Sequence, residues 1–166
     1  MTELTALVLR PLLLEDYPVV LKWSKDELFC RANGWELGRD ADEVYRWWDL
    51  CVHLQSSTIY RKGIELDGKL IGYVDLANSY KGVGELGIAI GETDLWGKGI
   101  GQRAARMMID YMAMGFGITT FKAETNEANE RSRRMLERIG FKESSRNGME
   151  EYCGKSGILI QYTFSL

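Results

Sequence analysis

Glycines at 97, 99 and 101 stand between an alternating apolar run and a helix-like stretch, and this turn carries the clearest chemistry in the 166-residue chain. Glycine removes side chains where the backbone must turn sharply or adopt positive φ. It also leaves amide N–H groups uncovered at the start of a helix. Those orphan donors, together with the positive end of the helix dipole, suit a phosphate or pyrophosphate. The turn therefore reads as an anion cradle between a strand and a helix, against the plainer alternative of a tight connection with no ligand. A Walker loop does not fit, because Gly101 is followed by Gln102-Arg103 rather than by Lys-Ser/Thr. A dinucleotide fingerprint fits no better: the glycines alternate, the turn lies in mid-chain, and repeated βαβ halves are missing. A phosphate-bearing ligand of another kind remains.

The elements that must hold this turn follow from hydrophobic period. Residues 4–10 predict a first strand closed by Pro11, and residues 15–24 a short helix with Asp16 and Pro18 near its start. Residues 29–39 have two glycines and no clear period, which predicts a loop. Residues 40–54 place Ala41, Val44, Tyr45, Trp48 and Val52 on one helical face. Asp67-Gly68 separates two β-like runs, residues 58–66 and 69–78, as a hairpin turn would. Residues 84–90 make the strand before the glycine turn, antiparallel to its predecessor across a turn at residues 79–83. Residues 99–114 make the helix after it.

Downstream, residues 118–124 predict a strand. Ala128, Ser132, Met135, Leu136 and Ile139 fall on one helical face, ended by Gly140. Phe141 starts another strand and residues 157–164 form the last. The order β-α-α-β-β-β-α-β-α-β-β predicts an α/β fold: a mixed, mostly antiparallel sheet with helices on both faces, in one domain over residues 1–166.

Composition narrows the function classes. A formal net charge of −3 gives no general attraction to nucleic acid or to an anionic membrane. Cys30, Cys51 and Cys153 are odd in number and form no metal-like cluster, so a reduced, cytoplasmic setting and no metal are expected. Glu3 and Arg10 interrupt the only early apolar run, so no signal peptide is expected, and no apolar run reaches the ~18 residues of a membrane span.

Two motifs together carry a resemblance. Trp96-Gly97-Lys98-Gly99-Ile100-Gly101 resembles the acyl-CoA pyrophosphate loop of the GNAT superfamily of N-acetyltransferases, whose pattern is Arg/Gln-x-x-Gly-x-Gly/Ala. Trp96 replaces the first residue, which resembles the branch containing the Rim-type ribosomal-protein N-acetyltransferases. Downstream, Asn129-Glu130-Arg131-Ser132 with Leu136, Gly140 and Phe141 is similar to the family's second signature, Asn-x-x-Ser/Ala…Leu/Tyr…Gly-Phe. The element order is similar over almost the whole chain. The expected fold is thus GNAT-like, with a splayed strand pair at the centre of the sheet.

The resemblance implies acetyl transfer from acetyl-CoA, as co-substrate, to an amine. The thioester is already activated, so neither a metal nor a covalent nucleophile is required. The protein must align two substrates, take a proton from an ammonium group and stabilise an oxyanion. By resemblance, Ile88, Ala89 and Ile90 pair with pantetheine, and Trp96, Gly97, Lys98, Gly99, Ile100, Gly101 and Gln102 take the pyrophosphate, with charge added by Lys98 and Arg103. Asn129 takes the CoA-facing position or caps its helix, a job Asn126 could share. Many members place Tyr seven residues after that Asn, where this chain has Leu136. Ser132 is then the expected acid, with Tyr152 as an alternative. Glu85 is the expected base, its side chain on the strand face opposite Leu86, Ile88 and Ile90. Asp75 is the second candidate. His53 has a suitable ordinary pKa but sits near the end of an outer helix.

In this family the acceptor is read by the region after the first helix and by the last loop, which makes Arg31, Asn33, Trp35 and Glu36 the expected substrate residues. Trp23, Trp47 and Trp48 divide between core and a wall for the acceptor. The expected reaction is acetylation of a small-molecule primary amine by direct attack on the thioester. The alternatives are a protein N-terminus, as the Rim-type resemblance suggests, and a non-catalytic acyl-CoA-binding module. Many relatives form dimers, so the resemblance allows a homodimer.

Overall fold

A computed structural model describes residues 6–54 and 59–166. The expected strand at residues 4–10 therefore has its first two residues, and the strand at residues 58–66 its first, outside the described residues. Seven strands form one sheet in the order β1-β2-β3-β4-β5-β7-β6. They are β1 (Leu7–Arg10), β2 (Ile59–Leu66), β3 (Lys69–Tyr80), β4 (Val83–Ile90), β5 (Thr120–Asn126), β6 (Lys142–Tyr152) and β7 (Lys155–Ser165). Every neighbouring pair is antiparallel except β4 and β5.

That one parallel pair positions the site. It runs for only three residues, Val83 with Thr120, Gly84 with Phe121 and Glu85 with Lys122. Beyond Glu85, β4 stays paired to β3 as far as Ile90, and β5 pairs with β7 as far as Asn126. The β4 backbone from Leu86 to Ile90 is thus left without a strand partner on its β5 side. Backbone donors and acceptors need partners, so this edge is a row of groups open to a ligand.

Among the described residues, five α-helices cover the sheet: α1 (Tyr17–Ser24), α2 (Glu27–Asn33), α3 (Ala41–His53), α4 (Ile100–Phe116) and α5 (Glu130–Ile139). Side chains alternate across a strand, and β4 uses both faces. Leu86, Ile88 and Ile90 join the apolar cluster built with Ala104, Met108 and Met112 of α4 and Leu136 and Ile139 of α5. Ala89 joins the opposite cluster, where α1–α3 contribute Val20, Trp23, Phe29, Val44 and Trp48. Burying each large side chain contributes about 1.5–3 kcal/mol. The two clusters fix β4 from both sides and leave only its β5-facing edge free.

Three local features differ from expectation. The loop expected over residues 29–39 is helical through Asn33. Asp26 caps that helix, accepting the Phe29 N–H at 3.2 Å, and Gly34 ends it with φ 69°. Phe29 and Cys30 anchor it at 0% exposure. Helix α5 begins at Glu130, not at Ala128, because the Asn129 side chain accepts the Ser132 N–H at 3.2 Å. The β3–β4 turn is tighter than residues 79–83 suggested. Lys81 and Gly82, at φ 50° and 78°, make it alone, and both strands lengthen to meet them. Asp67-Gly68 is a two-residue turn as expected, with φ 50° and 82°.

Candidate active site

A cleft of about 130 Å³, open to solvent, begins at the free edge of β4. Ile88, Ala89 and Ile90 form one wall, and Trp96, Gly97, Gly99, Ile100, Gly101 and Gln102 form its end. Asn129, Ser132, Met135 and Arg138 of α5 form the other wall. Gly97 and Gly99 lie at φ 79° and 77°, and a Cβ at either would meet nothing within 4 Å. Glycine is required there by backbone conformation rather than by crowding. Gly99 caps α4 without a side-chain hydrogen bond, and the first described bond back to it comes from the Arg103 N–H. The amides of Ile100, Gly101 and Gln102 are the orphan donors of that helix start. Gly101 is different: a Cβ would lie 3.1 Å from Met135 Sδ, so its bare backbone lets α4 and α5 approach.

The acid and base candidates separate on position. Glu85 is exposed, sits at the last β4–β5 pair, and accepts from Asn78 Nδ2 at 3.4 Å. Asp75 lies opposite Gly87, and a Cβ on Gly87 would fall 2.5 Å from Asp75 Oδ1. Its carboxylate therefore rests on the backbone just past the point where β4 and β5 separate. Asp75 Oδ2 accepts from Arg61 Nε at 3.2 Å, and Arg61 Nη1 donates to Cys51 Sγ at 3.0 Å. Burial pushes the Asp75 carboxyl above its ordinary 3.8, and the Arg61 charge opposes that rise without cancelling it. Ser132 lines the cleft from the first turn of α5. Tyr152 is half-buried at the end of β6, where burial raises its pKa. His53 is exposed at the end of α3, its ring 3.0 Å from Asp49 of the same helix.

The expected acceptor residues scatter. Asn33 lines the cleft. Arg31 is exposed and paired with Glu27 at 2.8 Å, while its carbonyl accepts the Cys153 N–H from the β6–β7 tip at 3.4 Å. Trp35 sits in an aromatic chain, 4.9 Å from Phe29 and 4.9 Å from Trp47 between ring centres, and Trp47 continues to Tyr73 at 6.5 Å. Burial pushes Tyr73 up to about 12, so it stays neutral. Glu36 is exposed, and Lys98 is exposed outside the cleft lining. Trp23 and Trp48 are core, at 1% and 0% exposure.

Four lining residues were not foreseen: Leu95, Arg131, Met135 and Arg138. The last three carried a signal. With Ser132 they fall at i, i+1, i+4 and i+7, one stripe of α5 aimed into the cleft. Asn126 takes neither α5 capping nor a place in the cleft lining. It is buried, accepting from the Ala128 N–H at 3.0 Å and donating to the Glu150 carbonyl at 2.8 Å. Among the described residues, no three His, Cys, Asp or Glu side chains gather as metal ligands. No described helix is long and apolar enough to cross a membrane.

Among the described residues, the sheet opens at its one parallel strand pair, and an uncapped glycine turn lies across the opening, the arrangement expected of an acetyltransferase fold. Residues 6–142 match the family described as Acetyltransferase (GNAT) domain, and this chain belongs to that family. A domain of known structure from Methanocaldococcus jannaschii superposes with a TM-score of 0.76 at 23% identity, covering 98% of this chain and 99% of that one. Spermidine N-acetyltransferase from Vibrio cholerae, solved with CoA and spermine, superposes at 0.81 with 20% identity over 96% and 95% of the two chains. In sequence, human alpha/beta-tubulin-N-acetyltransferase 9 is 34% identical over 61 residues, 37% of this chain and 30% of that protein. An uncharacterised M. jannaschii protein is 24% identical over 90% of this chain and 31% of its own length. The chain thus spans about a third of the length of these curated relatives.

Proposed function

We propose that this chain is an acetyl-CoA-dependent N-acetyltransferase, acting in the cytoplasm as one domain on the primary amine of a small molecule. The observation that carries this reading is the split after Glu85, whose free β4 edge leads directly to the uncapped amides of residues 100–102. The edge from Leu86 to Ile90 holds the pantetheine amides, and the glycine turn holds the pyrophosphate. Arg138, beside the turn, adds a positive charge.

The amine enters from the α1–α3 side of β4. Asp75, resting on Gly87 at the apex of the split, takes its proton; this moves the base from exposed Glu85, which faces the same side two residues earlier. A carboxyl whose pKa is raised by burial is a better match to that task than one fully in water. The freed amine forms a bond to the thioester carbonyl carbon, the carbon–sulfur bond then breaks, and the proton the nitrogen sheds ends on the departing sulfur as CoA thiol. Ser132 donates a hydrogen bond to the departing thiolate, with Tyr152 as the second donor. Thiols have an ordinary pKa of about 8.5, so this help is modest.

A protein N-terminus is the second reading, favoured by the 61-residue likeness to the human tubulin acetyltransferase. Titration with acetyl-CoA followed by a thiol-release screen of amines and N-terminal peptides tests both. Micromolar binding with release by one acceptor class supports the reading, and absence of binding overturns it.

A further inference from the structure

Arg131 is the residue of the cleft that the chemistry above leaves unused. Its guanidinium carbon lies 3.4 Å from the centre of the Trp96 ring. Other arginines meet carboxylates: Arg10 meets Asp16 at 2.8 Å, Arg61 meets Asp75 at 3.2 Å and Arg146 meets Glu143 at 2.6 Å. Among the described residues none accepts a hydrogen bond from Arg131 or pairs with its charge. Stacking occupies only the face of the guanidinium and leaves its edge donors, in their fixed fork, pointing outward. The platform is rigid, because Trp96 Nε1 donates to the Ile90 carbonyl at 2.9 Å.

The position of this fork separates it from the phosphates of CoA. Along α5, Met135 is the residue that meets Gly101. Arg138 lies about one turn past that contact and Arg131 about one turn before it. Trp96, beneath Arg131, packs against the α1–α3 cluster, the face from which the amine enters. The polar groups that surround Arg131 there are Tyr152 and Cys153 of the β6–β7 tip, and Asn33 lines the same cleft from α2. Desolvation of the guanidinium pulls the Arg131 pKa down, and the neighbouring Tyr152 and Cys153 oppose that shift.

We propose that the acceptor is a primary amine that also carries a carboxylate, an amino acid or an acidic peptide rather than a polycation, and that Arg131 binds that carboxylate edge-on above Trp96. This deepens the proposed transferase reading and rests on it. A planar fork matches a carboxylate in a bidentate arrangement. A polyamine would instead bring its charge against an unpaired cation.

The test compares Ser-Asp- and Ser-Asn-initiated hexapeptides, free aspartate and spermidine as acceptors at saturating acetyl-CoA, in the native chain and in Arg131→Gln. The expected result is a KM for the Asp peptide at least tenfold below that for the Asn peptide, with spermidine the poorest acceptor. Arg131→Gln removes that preference by raising the KM for the Asp peptide to that for the Asn peptide. Free aspartate at parity with the Asp peptide identifies an amino acid as the acceptor, and its failure identifies a peptide. Equal use of the two peptides, preference for spermidine, or a loss of CoA affinity in Arg131→Gln overturns the proposal. Calorimetric binding of the N-acetylated Asp and Asn peptides to the CoA-saturated protein supplies a readout independent of turnover. Charge-dependent binding that needs Arg131, in a chain that acetylates nothing, upholds this site and overturns the transferase reading alone.

Discussion

Replacing Gly99 with Asp puts a negative charge into the proposed pyrophosphate cradle without crowding it. Gly99 has φ 77° and open space where a Cβ would stand, so the change costs backbone strain but no collision. Strain for a non-glycine residue in that region is about 1–2 kcal/mol, small against the stability of an ordinary domain. Gly99→Ala bears the same strain without charge, and is therefore the control. The difference between the two variants isolates the carboxylate. Two unit charges about 4 Å apart near a protein surface repel by about 4 kcal/mol, and every 1.4 kcal/mol is tenfold in affinity. The expected loss is therefore roughly 10²–10³-fold in acetyl-CoA affinity for Gly99→Asp relative to Gly99→Ala. Calorimetric titration of both variants reads it, with circular dichroism confirming that each is folded. Equal affinities in two folded variants would refute the placement of the phosphates at this turn.

Further outcomes follow from other parts of the site. Asp75→Asn should lower kcat by at least ~10²-fold with acetyl-CoA affinity intact, as loss of a general base does, while Glu85→Gln changes it little; the reverse order returns the role to Glu85. Because the ionised Asp75 is the active form and burial raises its pKa above 3.8, kcat/KM should fall as pH drops through that raised value, and Asp75→Asn should lack that limb. For stability the sign is opposite: a raised folded-state pKa contributes stability below the unfolded value, lost as pH rises through the folded one, which a pH series of thermal melts can read. Ser132→Ala should reduce kcat by less than the ~10²-fold of an essential acid, since a thiolate leaves largely unaided. Gly91→Ala would place a Cβ 2.0–2.4 Å from ring atoms of Trp23, itself 1% exposed. Overpacking of this kind costs about 3 kcal/mol or more, so calorimetry should show Tm falling by about 6–12 °C or further.

The succession of strands and the glycine turn were legible because they depend on period and on residue types with one dominant physical use. Alternation through residues 84–90 placed Glu85, Gly87 and Ala89 on one face and Leu86, Ile88 and Ile90 on the other, and the core clusters divide Ala89 from Leu86, Ile88 and Ile90 in the same way. Helix α2 was missed although its signals were present. Asp26 as cap and Gly34 as stop bracket only seven residues, too few for a hydrophobic period to stand out. Tertiary packing of Phe29 against Trp23 and Trp35 stabilises it instead. The site was harder to read than the fold. The Trp96 indole is anchored to Ile90 and supports Arg131, contacts that no sequence period announces. The placement of the Asp75 carboxylate against Gly87 is a contact across strands that only register reveals. Arg31 is tied to Glu27 and Glu36 lies outside the cleft lining, placements that region alone does not give.

The most direct test of the central claim is mass spectrometry of the amine after incubation with acetyl-CoA and this chain, with Asp75→Asn in parallel. The account predicts an acceptor that gains one acetyl group on its amine, in step with free CoA, and a variant that still binds acetyl-CoA but yields almost no product. Tight acetyl-CoA binding with no acetylated amine from any acceptor class would contradict it and leave a protein that holds the thioester without transferring it.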